Sequence, residues 1–184
     1  DLTVFSGSRG INLAPELRGI GMVFQSYAIW PHMNVFQNVA FPLIHGNRSV
    51  PKSEIKERVM KALSMVQLET MAERPAPMLS GGQQQRVALV RALVYEPKML
   101  LLDEPFGALD ALTRGNIQEE LVKICMATRQ TVFMITHDVD EAILLSDKIM
   151  LMSNGPRACI AEIVVNTLPR NRSRETLHKE PRFY

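Results

Sequence analysis

The chain has 184 residues, 46% of them hydrophobic, which suits one globular domain with a sizeable core. A formal net charge of +2 excludes the strongly basic balance expected of a nucleic-acid or anionic-lipid binder, and no apolar run reaches the length of a membrane-spanning helix. The two cysteines, Cys125 and Cys159, sit in apolar patterns and are expected as small core residues in a reducing compartment.

In chain order, LTVF (2–5) and IGMVF (20–24) are short apolar runs bounded by Gly, Ser and Arg, and predict strands. The proline-bracketed stretch 31–51 yields no element. SEIKERVMKALSMVQL carries Ile55, Val59, Ala62, Leu63 and Val66 at helical spacing, with Ser53 as the expected N-cap and Glu54 favouring the first turn. A second helix is expected over 83–95, closed by Pro97. MLLLD (99–103) is apolar on every position before its aspartate, as in a parallel strand covered on both faces. A third helix (116–127), a buried strand TVFMIT (131–136), a short helix (139–146) and two strands, 148–152 and 158–165, joined by the turn SNGP complete the pattern. Strands alternating with helices indicate an α/β sheet, with residues 31–98 as a helical insert between two sheet segments.

Ligands of open α/β sheets sit beyond the carboxyl ends of the strands. Gln25 follows GMVF, Asp103 and Glu104 follow MLLL, and His137 follows FMIT, so an amide, two carboxylates and an imidazole are expected on one sheet edge. Each alone is unremarkable, because Asp-Glu after a strand is usually a turn and a lone His is usually a satisfied surface residue. Together they suit phosphoryl transfer to water. Asp103 can hold Mg²⁺, Glu104 can deprotonate the attacking water, Gln25 can ligate the metal or position that water, and His137 can hydrogen-bond the terminal phosphate.

LSGGQQQRVALVRAL (79–93) adds an anion-binding element. Ser80, Gly81 and Gly82 precede a helix, where glycines let N–H groups approach an anion closely and the helix dipole favours negative charge. Ser80 can cap that helix or donate to a phosphate oxygen; SGG by itself is an ordinary helix start.

With these residues in hand, the chain resembles the ATP-binding cassette (ABC) ATPases over essentially its whole length. LSGGQ (79–83) matches their signature motif, MLLLDE (99–104) looks like their Walker B, and ALD (108–110) like their D-loop. Gln25 in VFQS looks like their Q-loop and ITHD (135–138) like their switch histidine. The resemblance implies a P-loop NTPase-like α/β fold: a sheet core at 1–30 and 98–168, a helical signature subdomain at 31–97 and a tail at 169–184. It further implies a dimer of two ATPase subunits, with ATP and Mg²⁺ sandwiched between the phosphate loop of one and Ser80, Gly81, Gly82 and Gln83 of the other, and Asp110 communicating across the interface. The segment 26–43 would face a transmembrane permease, and the subunit would sit at the cytoplasmic face of a bacterial inner membrane. DEPFGALDALTR and THDVDEAILLSD are similar to import ATPases. The C-terminal half looks most like those serving nitrate, bicarbonate, cyanate or sulfonate, and the front half more like sugar, polyamine or iron importers.

The departure from the family is the Walker A loop. GxxGxGK[ST] does not occur in these 184 residues, and SGSRG (6–10) has no Lys-Ser/Thr pair and is not expected to open a helix. The chain therefore resembles a cassette without the first strand, phosphate loop and first helix, and the start at Asp1 favours a piece of a longer reading frame over a degenerate regulatory cassette offering only its signature face. Such a chain is expected neither to bind ATP tightly nor to hydrolyse it alone, and to expose apolar sheet surface. Chromosome-maintenance ATPases share LSGGQ but insert long coiled coils, for which 26–78 is too short and proline-broken; no basic stripe marks a nucleic-acid partner. A translation-factor cassette fits the transport-like motifs less well.

Overall fold

Glycines and short apolar runs partition the first residues into brief strands. The computed structural model describes residues 3–47, 50–169 and 172; the expected strand start at Leu2 and most of the expected tail lie outside them. β1 (Phe5–Ser6) and β2 (Ile11–Asn12) form a small antiparallel hairpin, so SGSRG is its turn, with Gly10 at φ 62°, and no helix begins there. β3 (Ile20–Val23) follows.

α1 (Val35–His45) occupies the stretch for which no element was expected. Pro42 lies inside it and disguises it in sequence, while a capping box supports its start: Gln37 N–H donates to Asn34 Oδ1 at 2.8 Å and Asn34 N–H to Gln37 Oε1 at 2.9 Å. α2 (Lys52–Ser64) begins one residue before the expected cap. Ser53 is thus inside the first turn and Pro51 stands at the N-cap, because proline has no N–H to leave orphaned there. Val59, Leu63 and Val66 are fully buried as their spacing predicts. α3 (Gly81–Leu93) starts two residues earlier than expected because Ser80 caps it.

β4 (Met99–Asp103) leads through a turn to α4 (Ala111–Thr128), which starts five residues before the expected helix because Asp110 caps it. β5 (Thr131–Ile135), α5 (Val139–Leu145), β6 (Lys148–Met152) and β7 (Ile160–Val165) follow. The chain divides into two compact units, Asp1–Ile135 and Thr136–Tyr184. In the second, β6 and β7 pair antiparallel with a register shift at Leu151/Met152.

In the first unit β3, β4 and β5 form a parallel sheet in that order, with Val23 opposite Leu102 and Asp103 opposite Ile135. One face is packed: Val23, Leu100 and Leu102 are at most 2% exposed, and Val23 and Leu102 share an apolar seam with Leu89 of α3 and Ile117 and Leu121 of α4. Gly21 permits this, since a Cβ there would stand 2.8 Å from the Ala92 carbonyl oxygen. The other face carries Met22, Phe24, Phe133 and Ile135, exposed by 41 to 53%. The expectations that MLLLD is covered on both faces and that TVFMIT is buried are therefore corrected. Among the described residues the helices of this unit pack on one side only, and an all-apolar strand does not record which side that is. Cys125 is half-buried and Cys159 exposed, so the expected core placement fails for Cys159, which stands just before the solvent-facing strand β7.

Candidate functional site

At the first corner, Leu79 is buried and fixes the approach to α3. Ser80 Oγ accepts from Gln83 N–H at 3.3 Å while Gln83 Oε1 accepts from Ser80 N–H at 3.0 Å. This capping box satisfies Ser80 and Gln83 and leaves the Gly81 and Gly82 N–H groups as the remaining donors of the first turn. The corner is seated on the start of α4. A Cβ on Gly82 would come within 2.5 Å of Thr113 Cγ2, and one on Gly81 within 3.9 Å of Leu109 Cδ2. Asp110 is next to Leu109 and accepts from Thr113 N–H at 3.0 Å. Hydrogen bonds from the Thr113 backbone and side chain hold the Asp110 carboxyl below its usual pKa, so it is anionic at neutral pH. The structure thus gathers Ser80, Gly81, Gly82 and Gln83 beside Asp110.

The second cluster stands at the carboxyl ends of β3 and β4. Gln25 Nε2 donates to Glu104 Oε2 at 3.0 Å across 79 residues of sequence. Glu104 is a non-glycine residue at φ 41°, a left-handed conformation that costs on the order of 1–3 kcal/mol and persists only where the surroundings dictate it. Those surroundings are specific. Glu104 N–H donates to the Ile135 carbonyl at 2.9 Å, the Glu104 carbonyl accepts from Gly107 N–H at 3.2 Å, and Phe106 is 1% exposed. Gln85 of α3 donates from Nε2 to the Pro105 carbonyl, one residue beyond Glu104. Asp103 ends β4, half-buried, with Gln25 reaching the next residue.

His137 lies in the second unit, exposed, in the turn that starts α5. Around it Asp138 N–H donates to Thr136 Oγ1 at 3.1 Å, Thr136 Oγ1 donates to Glu141 Oε2 at 2.8 Å, and Glu141 N–H donates to Asp138 Oδ1 at 3.1 Å. These contacts shape the loop that presents the imidazole.

The oxygen donors fit a hard cation. Asp103 offers a carboxylate and Gln25 an amide oxygen at neighbouring strand ends, the donor type Mg²⁺ takes together with phosphate oxygens and water. No group of three or more His, Cys, Asp or Glu gathers among the described residues, so no all-protein metal cage is built.

Three supporting residues escaped the reading of the sequence: Gln85, Arg91 and Thr113. Gln85 is 2% exposed, a buried polar residue in an otherwise apolar helix face, and its Oε1 has no partner among the described residues. Arg91 donates from Nη1 to the Ala28 carbonyl at 2.8 Å and from Nη2 to the Tyr27 carbonyl at 2.9 Å, and its Cζ lies 4.4 Å from the Trp30 ring centroid. Burial lowers the Arg91 pKa and raises that of Tyr27. The signal for both α3 residues is a polar side chain interrupting an apolar periodicity.

The sequence profile of the ABC transporter family matches residues 8–107. The bicarbonate transport ATP-binding protein CmpD of Synechococcus elongatus is 47% identical over 163 residues, which covers 89% of this chain and 59% of that protein. The nitrate transport protein NasD of Klebsiella oxytoca is 45% identical over 175 residues, 92% of this chain and 66% of its own length. Among solved structures, the dimeric post-hydrolysis state of the ATP-binding cassette MJ0796 bound to ADP and Pi is similar with a TM-score of 0.62 and 36% identity, over 73% of this chain and 60% of that one. The chain spans between 24 and 66% of the length of these and similar curated relatives. Profile, relatives and fold agree: this chain belongs to the ABC transporter family.

Proposed function

We propose that this chain is the signature-bearing and hydrolytic part of an ATP-binding subunit that couples ATP hydrolysis to uptake of a small oxyanion of the nitrate or bicarbonate class. The observation that carries the reading is the Gln25–Glu104 hydrogen bond, which joins an amide and a carboxylate from distant sequence at the ends of adjacent parallel strands. The relatives that favour the cargo class cover both halves of the chain.

In this reading ATP binds with Mg²⁺ at the interface of two such subunits, and Mg²⁺ neutralises charge on the phosphates. Asp103 holds the cation. Glu104 accepts the proton of the attacking water, Gln25 keeps that carboxylate oriented, and His137 donates a hydrogen bond to the terminal phosphate. On the opposite subunit's nucleotide, Ser80 and the Gly81 and Gly82 N–H groups contribute uncharged donors at the positive end of α3. Asp110, packed beside that corner, carries the state of one site to the other. The sheet core and the helical segment 31–97 divide these tasks, and segment 26–43 faces a permease at the cytoplasmic side of the membrane. No helix of the described residues is long and apolar enough to cross a membrane.

The phosphate-loop pattern GxxGxGK[ST] is not in this sequence, so the 184-residue polypeptide by itself should not turn ATP over. It should instead complete a site in trans. Mixed with a cassette that has an intact phosphate loop but a disabled signature serine, this chain should raise ATP hydrolysis, and Ser80→Arg should abolish the increase. An unchanged rate with the unmutated chain would overturn the reading.

A further inference from the structure

We infer that Arg91 is a positioning residue that holds the turn after β3 so that Gln25 stays on Glu104. The chain takes a sharp path after Gln25: Tyr27 and Ala28 are consecutive non-glycine residues at φ 62° and 46°, a left-handed pair that L-residues disfavour. Both carbonyls of that pair receive an Arg91 N–H, at 2.9 and 2.8 Å. The same guanidinium lies over the Trp30 ring, 4.4 Å from its centroid. Trp30 is in turn tied to α1, since its N–H donates to Asn38 Oδ1 at 3.0 Å and its carbonyl accepts from Asn38 Nδ2 at 3.2 Å, with Asn38 fully buried.

Arg91 of α3 therefore holds the strained pair directly, while Asn38 of α1 fixes Trp30 two residues further on, and Arg91 is the sole side chain among the described residues seen to bond the pair's carbonyls. Gln25 is two residues upstream of Tyr27. With the turn held, its amide meets Glu104; with the turn relaxed toward ordinary φ, the chain leaving β3 takes another direction and the amide leaves with it. A planar fork is needed for this, because two carbonyls and a ring face are engaged at once, and a lysine ammonium cannot serve all three. The helix that begins at the Ser80 corner thus ends by setting the geometry of the hydrolytic pair, while Gln85, midway along it, holds the residue after Glu104. The functional consequence rests on the role proposed above for Gln25 and Glu104; the geometry does not.

Trp30 is the only tryptophan, so its emission reports on this turn alone. In the Arg91→Lys chain, acrylamide quenching of Trp30 should increase, and amides of residues 25–30 should exchange about tenfold or more faster, relative to those of α3. The Gln25 side-chain amide resonances should move to the positions they take in Glu104→Ala. Adding Ala28→Gly, which removes one left-handed cost, should restore all three toward the parent. Unchanged quenching and Gln25 resonances, or acceleration spread evenly over the chain, would overturn the inference. Should Arg91→Lys fail to fold, the parent chain still decides the matter. Two fixed hydrogen bonds require distinct, slowly exchanging Nη resonances for Arg91, and one averaged signal contradicts them. None of these measurements uses nucleotide, so a failure of the hydrolytic reading leaves their outcome unaffected.

Discussion

Gly82 and Thr113 stand so close that the Thr113 methyl occupies the space of the side chain Gly82 lacks, with 2.5 Å between an added Cβ and Cγ2. This contact seats the first turn of α3 against the first turn of α4 and so places Ser80 and Asp110 side by side. Gly82→Ala should accordingly destabilise the chain by about 1–3 kcal/mol through overpacking. Thr113→Ser, which removes the obstructing methyl, should recover most of that loss. Denaturant midpoints of the two single variants and the double variant measure the coupling, and strict additivity would contradict the contact.

Ser80 combines a helix cap with a proposed phosphate donor, and the two are separable by substitution. Ser80→Ala should lose about 1 kcal/mol of stability with the cap. Ser80→Asp should retain the cap, since a carboxylate oxygen also accepts from Gln83 N–H, and yet fail to stimulate a partner cassette, because it sets a negative charge against phosphate. Melting curves beside the trans-activation assay resolve this; full stimulation by Ser80→Asp would show the corner to be a cap alone.

Glu104→Gln keeps the acceptor for Gln25 Nε2 but removes the base. In an assembled transporter whose subunit contains this chain, it should lower the turnover number roughly 10²–10⁴-fold with nucleotide affinity retained. Glu104→Gly should be equally inactive but at no cost in stability, because glycine accepts φ 41° without strain. A strongly destabilised Glu104→Gly chain would show that the carboxylate, not its backbone, holds this turn.

The Cys125 thiol is pushed up by burial from 9.0 to about 11. Its folded pKa is raised above the unfolded value, so its contribution to stability is complete below pH 9 and is lost as pH rises toward 11. The chain should therefore weaken over that interval, and Cys125→Ala should weaken less steeply. Alkylation at pH 8 should modify exposed Cys159 well before Cys125. Equal modification rates would contradict the burial.

Most of the candidate residues could be named from the sequence because they carry chemistry at fixed local spacing. Ser80 through Gln83 announce a capped helix, and Asp103–Glu104 terminate an apolar strand, so both are local statements that survive without the fold. The α2 core positions Val59, Leu63 and Val66 followed from helical periodicity alone. Pro42 hid α1, since a proline eight residues into a helix looks like a terminator, whereas the helix runs on to His45 from a start fixed by the Asn34–Gln37 capping box. Ser53 misled for the opposite reason: a good capping side chain one residue inside a start already set by Pro51.

The sequence by itself determined most of the elements from β3 onward, α1 excepted, together with their order and the identity of the groups at the strand ends, because hydrophobic period, capping chemistry and glycine placement act over a few residues. Only the tertiary structure decided which strands are neighbours, which sheet face is packed, that Gln25 meets Glu104, that Gly82 nests on Thr113 and that Arg91 grips the turn after β3. Those are contacts across tens of residues. They are set by how α3 and α4 fill the space over Val23 and Leu102, a packing solution to which no local stretch of the chain has access.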